Sequence, residues 1–274
     1  MLTSLDSGTS ALLQFQDEIN VVANNIANVN TVGFKSADIS FEDTLSETLG
    51  SNSAGSLQIG TGVTTASITN NFTQGSLTST GVESNLAVNG SGFFMVKDPA
   101  SGDTYATQDG DFTVDNNGYL VTSSGLRVQG YSDSGLTTLG DIQINNTGAP
   151  AGDTSPVQSY SIGADGKVSV LLADGTSFTR GQVLLQNFTD PQQLMKAGDN
   201  LYTGLSLAGP MAAPVAPGSS GLGSLQAGSL EMSNVDLASE LTELITAQQA
   251  YSANSKVITT SNDILETVVN MKQG

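Results

Sequence analysis

Leu5-Asp-Ser-Gly8-Thr-Ser-Ala-Leu12-Leu-Gln-Phe15-Gln-Asp-Glu-Ile19-Asn-Val-Val22-Ala-Asn24-Asn25-Ile26-Ala-Asn28-Val29 carries two rows of residues at seven-residue spacing. Leu5, Leu12, Ile19 and Ile26 form one row; Gly8, Phe15, Val22 and Val29 form the other, three positions on. A repeat of about 3.5 residues per turn keeps one stripe of a helix facing a neighbouring helix, so these rows read as an a/d seam. The far end of the chain keeps the same interval at Leu230, Leu237, Leu244, Tyr251, Ile258 and Leu265, with Leu241 and Val269 on the partner row. The two ends therefore read as partners in a coiled coil. Val21, Ile245 and Ile264 fall outside the seam, and covering them calls for further copies of the chain. The same periodicity also fits two long helices packed on an ordinary core.

Composition narrows the class. The chain has 274 residues, enough for a sizeable core and one or two domains. Charged residues make up 12%, against roughly 25% in an ordinary soluble domain, so the surface is polar but mostly uncharged. Eight Lys and Arg stand against 26 Asp and Glu, a net charge of −18 that disfavours nucleic acid and anionic membranes as partners. The first residues lack the basic and apolar regions of a signal peptide, and no apolar run approaches the ~18 residues of a membrane span.

The predicted organisation is α+β: long N- and C-terminal helices pairing as a coiled coil, an extended connector and a central all-β domain. The boundaries are a helix over 1–30, a connector with one loop over 31–75, the all-β domain over 76–208, a linker over 209–230 and the second helix over 231–274. Ser4 or Asp6 can cap the first helix; Asn234 or Asp236 can cap the second. Gly50–Ser56 reads as a flexible polar stretch inside the connector. Short strands rich in β-branched and aromatic residues at 93–96, 112–114, 119–121, 168–172 and 183–188 are punctuated by Asn117-Gly118, Asp165-Gly166 and Asp174-Gly175, which supply the positive φ of tight turns.

Catalytic chemistry finds little to stand on. No His removes the serine triad, imidazole ligation and the commonest acid/base group; no Cys removes disulfides, thiolate sites and a cysteine nucleophile. Asp109, Asp111, Asp115 and Asn117 resemble a calcium loop, but their spacing and β-rich flanks suit hairpin turns better. Gly60-Thr-Gly62 and Gly90-Ser-Gly92 lack the remaining residues of a phosphate loop. No cofactor, metal or small-molecule substrate is expected. Besides a polymer subunit, the residues leave open a monomeric acidic β-rich adhesin or glycan-binding module with a helical stalk.

Four stretches carry a family resemblance. Val22-Ala-Asn-Asn-Ile-Ala-Asn-Val-Asn-Thr-Val-Gly-Phe-Lys35 closely resembles the N-terminal signature of the bacterial flagellar rod and hook proteins. Leu86-Ala-Val-Asn-Gly-Ser-Gly-Phe-Phe94, Asp109-Gly-Asp-Phe112 and Gly228-Ser-Leu-Glu-Met-Ser-Asn-Val-Asp236 resemble further motifs of that family, and the resemblance covers nearly the whole chain. It implies a structural subunit of a hollow helical tube in the flagellum, exported through the type III apparatus without a cleaved signal peptide. The implied partners are other copies, neighbouring rod, hook and hook-junction proteins, the export apparatus and the hook cap. The modest Gly50–Ser56 loop tips the reading toward the hook, with the distal rod as alternative. The expected assembly interface is Leu5, Leu12, Phe15, Ile19, Val22, Asn24, Asn25, Ile26, Asn28, Val29, Leu237, Leu241, Leu244, Tyr251, Ile258 and Leu265, with the three amides fixing register.

Overall fold

In the computed structural model, which describes residues 2–52, 55–150, 154–211, 213–219 and 221–273, the first apolar rows form helix α1 (Leu2–Ala27). Its last turn is closed by Asn28, whose Nδ2 donates to the Asn24 carbonyl at 2.9 Å and to Asn24 Oδ1 at 3.1 Å. Helix α2 (Leu237–Gln273) starts behind Asp236, whose Oδ1 accepts from Ala238 N at 3.0 Å. An aspartate there satisfies one orphan N–H and complements the helix dipole, so Asp236, not Asn234, is the cap. The helices run antiparallel: a side chain at Gly8 would meet Ile258 Cγ1 at 3.1 Å, and Asn25 reaches Glu240.

Residues 31–75, expected as an extended connector, are mostly paired with themselves. Strands β1 (Ala37–Asp43), β2 (Ser46–Asn52), β3 (Gly55–Gly60) and β4 (Val63–Asn70) form a long antiparallel ribbon in which β1 pairs with β4 and β2 with β3. Register shifts at Ser40/Phe41 and Thr48/Gly50 interrupt the alternation of faces, which is why no period persists there. Of the polar stretch expected to be flexible, Ser53 and Ala54 lie outside the described residues. The ribbon packs on α1: Phe41 meets Phe15 edge-on at 6.2 Å, and Val63 N donates to Ser10 Oγ at 3.3 Å. At Gly62 the backbone has φ +142°, and a Cβ would lie 2.3 Å from Ser10 Oγ, so only glycine lets the ribbon approach so closely. The helices and ribbon belong to one unit: Met1–Val29, Lys35–Asn71 and Val235–Gly274.

The second unit, Asn30–Phe34 with Phe72–Asn234, is β-rich. Its strands are β5 (Leu77–Ser79), β6 (Leu86–Asn89), β7 (Phe93–Lys97), β8 (Thr104–Thr107), β9 (Thr113–Val114), β10 (Leu120–Val121), β11 (Arg127–Tyr131), β12 (Leu139–Asp141), β13 (Val157–Ile162), β14 (Lys167–Leu172), β15 (Ser177–Val183), β16 (Leu185–Gln186), β17 (Met195–Gly198), β18 (Leu201–Thr203), β19 (Ser224–Ala227) and β20 (Ser229–Glu231). The main antiparallel path runs β13-β14-β15-β11-β7-β8-β18-β17. Strand β14 shows the logic: Val168, Val170 and Leu172 point into the core while Lys167 and Ser169 point out. The expected Asp-Gly turns join β13 to β14 and β14 to β15, with Gly166 at φ +81° and Gly175 at φ +88°.

The linker expected over 209–230 is part of this unit. Val215 and Leu185 exchange backbone hydrogen bonds at 2.9 and 3.0 Å, β19 pairs with β6, and β20 pairs with β5. Small and Gly-rich composition marked the segment as free chain, whereas its partners lie more than a hundred residues earlier for β19 and β20, at a separation no local pattern reports.

Candidate assembly surface

The helix pair is built on a seam that differs from the expected one on one side. On α1, Val22 and Asn25 are buried, and Leu5, Leu12, Phe15, Ile19, Ile26 and Val29 are half-buried; Asn24 faces solvent and Asn28 serves the helix end. On α2, Leu244, Ile258 and Leu265 are half-buried, but the row beside them is Glu240, Ala247, Asn254 and Ser261. Leu241 and Val269, expected on that row, are 44% and 53% exposed; Leu237 and Tyr251 are exposed too. Small residues at the contact, Gly8, Ala247 and Ser261, let the axes approach, and the helix rotates to place them inside. An apolar count cannot see such a row.

One amide ties three elements together. Asn25 Nδ2 donates to the Ala37 carbonyl at 2.9 Å and to both Glu240 carboxylate oxygens at 3.1 Å, while its Oδ1 accepts from Ala37 N at 3.0 Å. Helix α1, strand β1 and helix α2 are thereby held in one register, as a buried amide in a seam can do. Of the three amides, Asn25 bonds across the helix pair, while Asn28 bonds back to Asn24 at the end of α1.

The seam is also acidic. Burial holds the Glu240 carboxyl above its ordinary range, reinforced by Glu243, Asp38 and Asp236 and opposed by the Asn25 hydrogen bond. Burial and Glu243 likewise raise Glu18, one of whose oxygens is buried without a hydrogen-bond partner among the described residues. Desolvation and like charge act together here, so the seam is less stable with these groups ionised.

Outside the seam, α2 leaves apolar residues uncovered in two separate patches, one near each end. Leu237, Leu241 and Ile245 follow at four-residue intervals, as do Ile264 and Val268, and all are exposed. Exposed apolar residues grouped in this way are candidates for a contact with another protein.

The remaining motif residues serve the β-rich unit. Gly33 has φ +67°, its N donates to the Glu231 carbonyl at 2.8 Å, and a Cβ there would lie 2.7 Å from Asp109 N. The Glu231 side chain accepts from Gly75 N at 2.8 Å. Phe112 is fully buried and meets Phe94 edge-on at 5.1 Å. Asp109 accepts from Asp111 N at 3.0 Å and Asp115 accepts from Asn117 N at 2.8 Å, the hydrogen bonding of turns. Among the described residues no group of three or more acids gathers to hold a metal ion.

Three family models match the chain: flagella basal body rod protein over residues 5–35, flagellar hook protein FlgE/F/G D1 domain over 87–170, and flagellar basal body rod FlgEFG protein C-terminal over 226–271. Their bounds fall on α1 with the Gly33 turn, on the β-rich unit and on β20 with α2. The chain belongs to the flagellar rod and hook family of structural proteins. Among its relatives, the flagellar basal-body rod protein FlgG of Bacillus subtilis is 40% identical, with all of both chains aligned. That of Borreliella burgdorferi is 34% identical, again over 100% of each, and that of Buchnera aphidicola from Acyrthosiphon pisum is 36% identical over 97% of this chain and 98% of its own. The chain is thus a structural subunit of the flagellar axis. The preference for the hook loses its support, because it rested on a loop judged short for a rod protein, and rod proteins align with this chain end to end. Family membership also leaves the adhesin reading without support.

Proposed function

We propose that the chain polymerises as a rod subunit of the flagellar basal body, of the distal rod type, through contacts made by its helix pair. The observation that supports the reading is the apolar residues of α2 left exposed although the seam is filled: Leu237, Leu241 and Ile245 near its start, and Ile264 and Val268 near its end. Burying them against further copies removes apolar area from water, and identical subunits meeting through non-closing contacts form a helical filament. In the polymer the seam residues of α1 and α2 continue as a coiled coil. Export without a cleaved signal through the type III apparatus, guided by the N-terminal region, and contact with neighbouring rod, hook and hook-junction proteins belong to the same proposal. The hook cap, a partner implied by the hook reading, has no part in it. Deleting the gene and imaging isolated basal bodies separates rod from hook: this reading expects assembly to stop before the rod is complete, with no hook attached. Complete rods lacking only the hook would refute it.

Net charge sets a second expectation. Each copy adds 18 surplus negative charges to the polymer, and repulsion weakens as the Debye length falls from about 30 Å at 0.01 M salt to about 10 Å at 0.1 M. The critical concentration measured by sedimentation in sodium chloride is expected to fall over that range. A flat or rising value would mean that the charges are paired across the contact or face away from it.

A further inference from the structure

The chain passes between the helix-and-ribbon unit and the β-rich unit at 29/30, 34/35, 71/72 and 234/235. On the β-rich side these crossings fall on three segments far apart in sequence: 30–34, 72–76 and 231–234. Left to themselves, short connections of this kind are the first part of a unit to open. Each is instead bonded to another, and Glu231 holds two of the bonds.

Glu231 is 3% exposed. Its backbone carbonyl accepts from Gly33 N and its carboxylate from Gly75 N, both at 2.8 Å, so one residue of the third segment grips the other two. Met232 N donates to the Ser76 carbonyl at 2.9 Å, and Asn234 Nδ2 reaches Thr73 Oγ1 at 3.0 Å and the Thr73 carbonyl at 3.3 Å. No side chain separates these strands of chain: a Cβ at Gly75 would lie 2.0 Å from the Met232 carbonyl oxygen and 3.2 Å from that of Ser233. The bundle is also rooted in the unit behind it. Asn200 Nδ2 donates to the Val32 carbonyl at 2.6 Å, and the Phe72 ring lies 5.5 Å from that of Phe93 and 5.6 Å from that of Tyr202. Burial, with Glu231 nearby, holds the Tyr202 phenol above its ordinary range, which places the carboxylate beside the same aromatic cluster. Pairing of β20 with β5 uses only the backbone at 231, so what the costly buried carboxylate adds is the tie to Gly75.

We propose that Glu231 is a clasp: it locks the three crossing segments into one body, so that they open together and a load carried by one is shared by all. Its side chain and its backbone act on different segments, which makes it a positioning residue for the whole root of the β-rich unit. The inference concerns the single chain and stands apart from the polymerisation reading.

Hydrogen exchange of the full-length chain in dilute solution, followed by mass spectrometry, tests the clasp. Glu231→Ala removes the acceptor of Gly75 N and leaves the backbone bond to Gly33 available. It is expected to speed exchange about tenfold in 30–34, 72–76 and 231–234 together, with β14 unchanged. Glu231→Gln keeps a side-chain oxygen for Gly75 N and is expected to recover most of the protection. Acceleration confined to the neighbourhood of Gly75 would overturn the clasp, and so would equal acceleration in β14, which would make Glu231 a general support of the fold. If Glu231→Ala does not fold, Asn234→Ala, which removes the bonds to Thr73, decides by the same readout: joint acceleration of all three segments supports the clasp, and acceleration that spares 30–34 overturns it.

Discussion

Leu241→Asp is expected to abolish polymerisation while leaving both units folded. Leu241 is 44% exposed and outside the seam, so a carboxylate there is solvated in the monomer and costs the fold little. In a polymer the same carboxylate would be pressed against apolar surface of a neighbour with no cation to meet it, at several kcal/mol, or more than about a hundredfold in critical concentration. Leu244→Asp makes the contrast: Leu244 is half-buried in the seam, so a charge there loosens the helix pair as well as blocking assembly. Circular dichroism with sedimentation tells the two apart. Leu241→Asp should keep native helix content and stay in the supernatant, and normal filaments from it would show that the patch around Leu241 is not the contact.

Asn25→Asp is expected to destabilise the helix-and-ribbon unit by about 3–5 kcal/mol at neutral pH. The substitution keeps the shape and replaces the one donor that serves the Ala37 carbonyl and Glu240 with an acceptor. Two carboxylates would then face each other in a buried seam that already crowds Glu240 with Glu243, Asp38 and Asp236. The sign of the pH dependence follows from these groups. Glu240 and Glu18 have folded-state values raised above their ordinary 4.5, so the stability they contribute is fully present below 4.5 and is lost as pH rises through the raised values. Acidification from neutrality toward 4.5 should therefore stabilise the wild-type unit and narrow the gap to the variant. The β-rich unit responds differently. There the Thr138 and Thr137 amides and the Thr137 hydroxyl draw Asp133 down to about 2, and its contribution is lost only as pH falls from its ordinary 3.8 toward that value. Thermal unfolding of both proteins across pH checks this; a gap that does not change with pH would assign the loss to packing instead of charge.

The sequence carried some of this plainly and hid the rest for identifiable reasons. The rows through Leu5 and Leu244 located both helices, and Asp236 and the Asp-Gly turns announced a cap and two hairpins, because each is a local signal with one physical cause. The inward row of α2 was not legible: Glu240, Ala247, Asn254 and Ser261 are polar or small, and their burial depends on what lies opposite. Leu241 is apolar and keeps the seam's spacing, yet it is 44% exposed, because periodicity alone cannot tell an inward row from an outward one. The ribbon's alternation was broken by its bulges, and β19 and β20 were masked by partners far away in sequence. The single motif from Val22 to Lys35 also turned out to serve two units, with Asn25 fixing the helix register and Gly33 closing onto the β-rich unit.

Polymerisation of the purified full-length chain tests the central claim most directly. Concentrated in about 0.1 M sodium chloride, where screening is effective, the chain is expected to sediment above a critical concentration and to show hollow tubes by negative-stain electron microscopy. A chain that remains monomeric at every concentration and salt tested, with its helices intact by circular dichroism, would contradict the account.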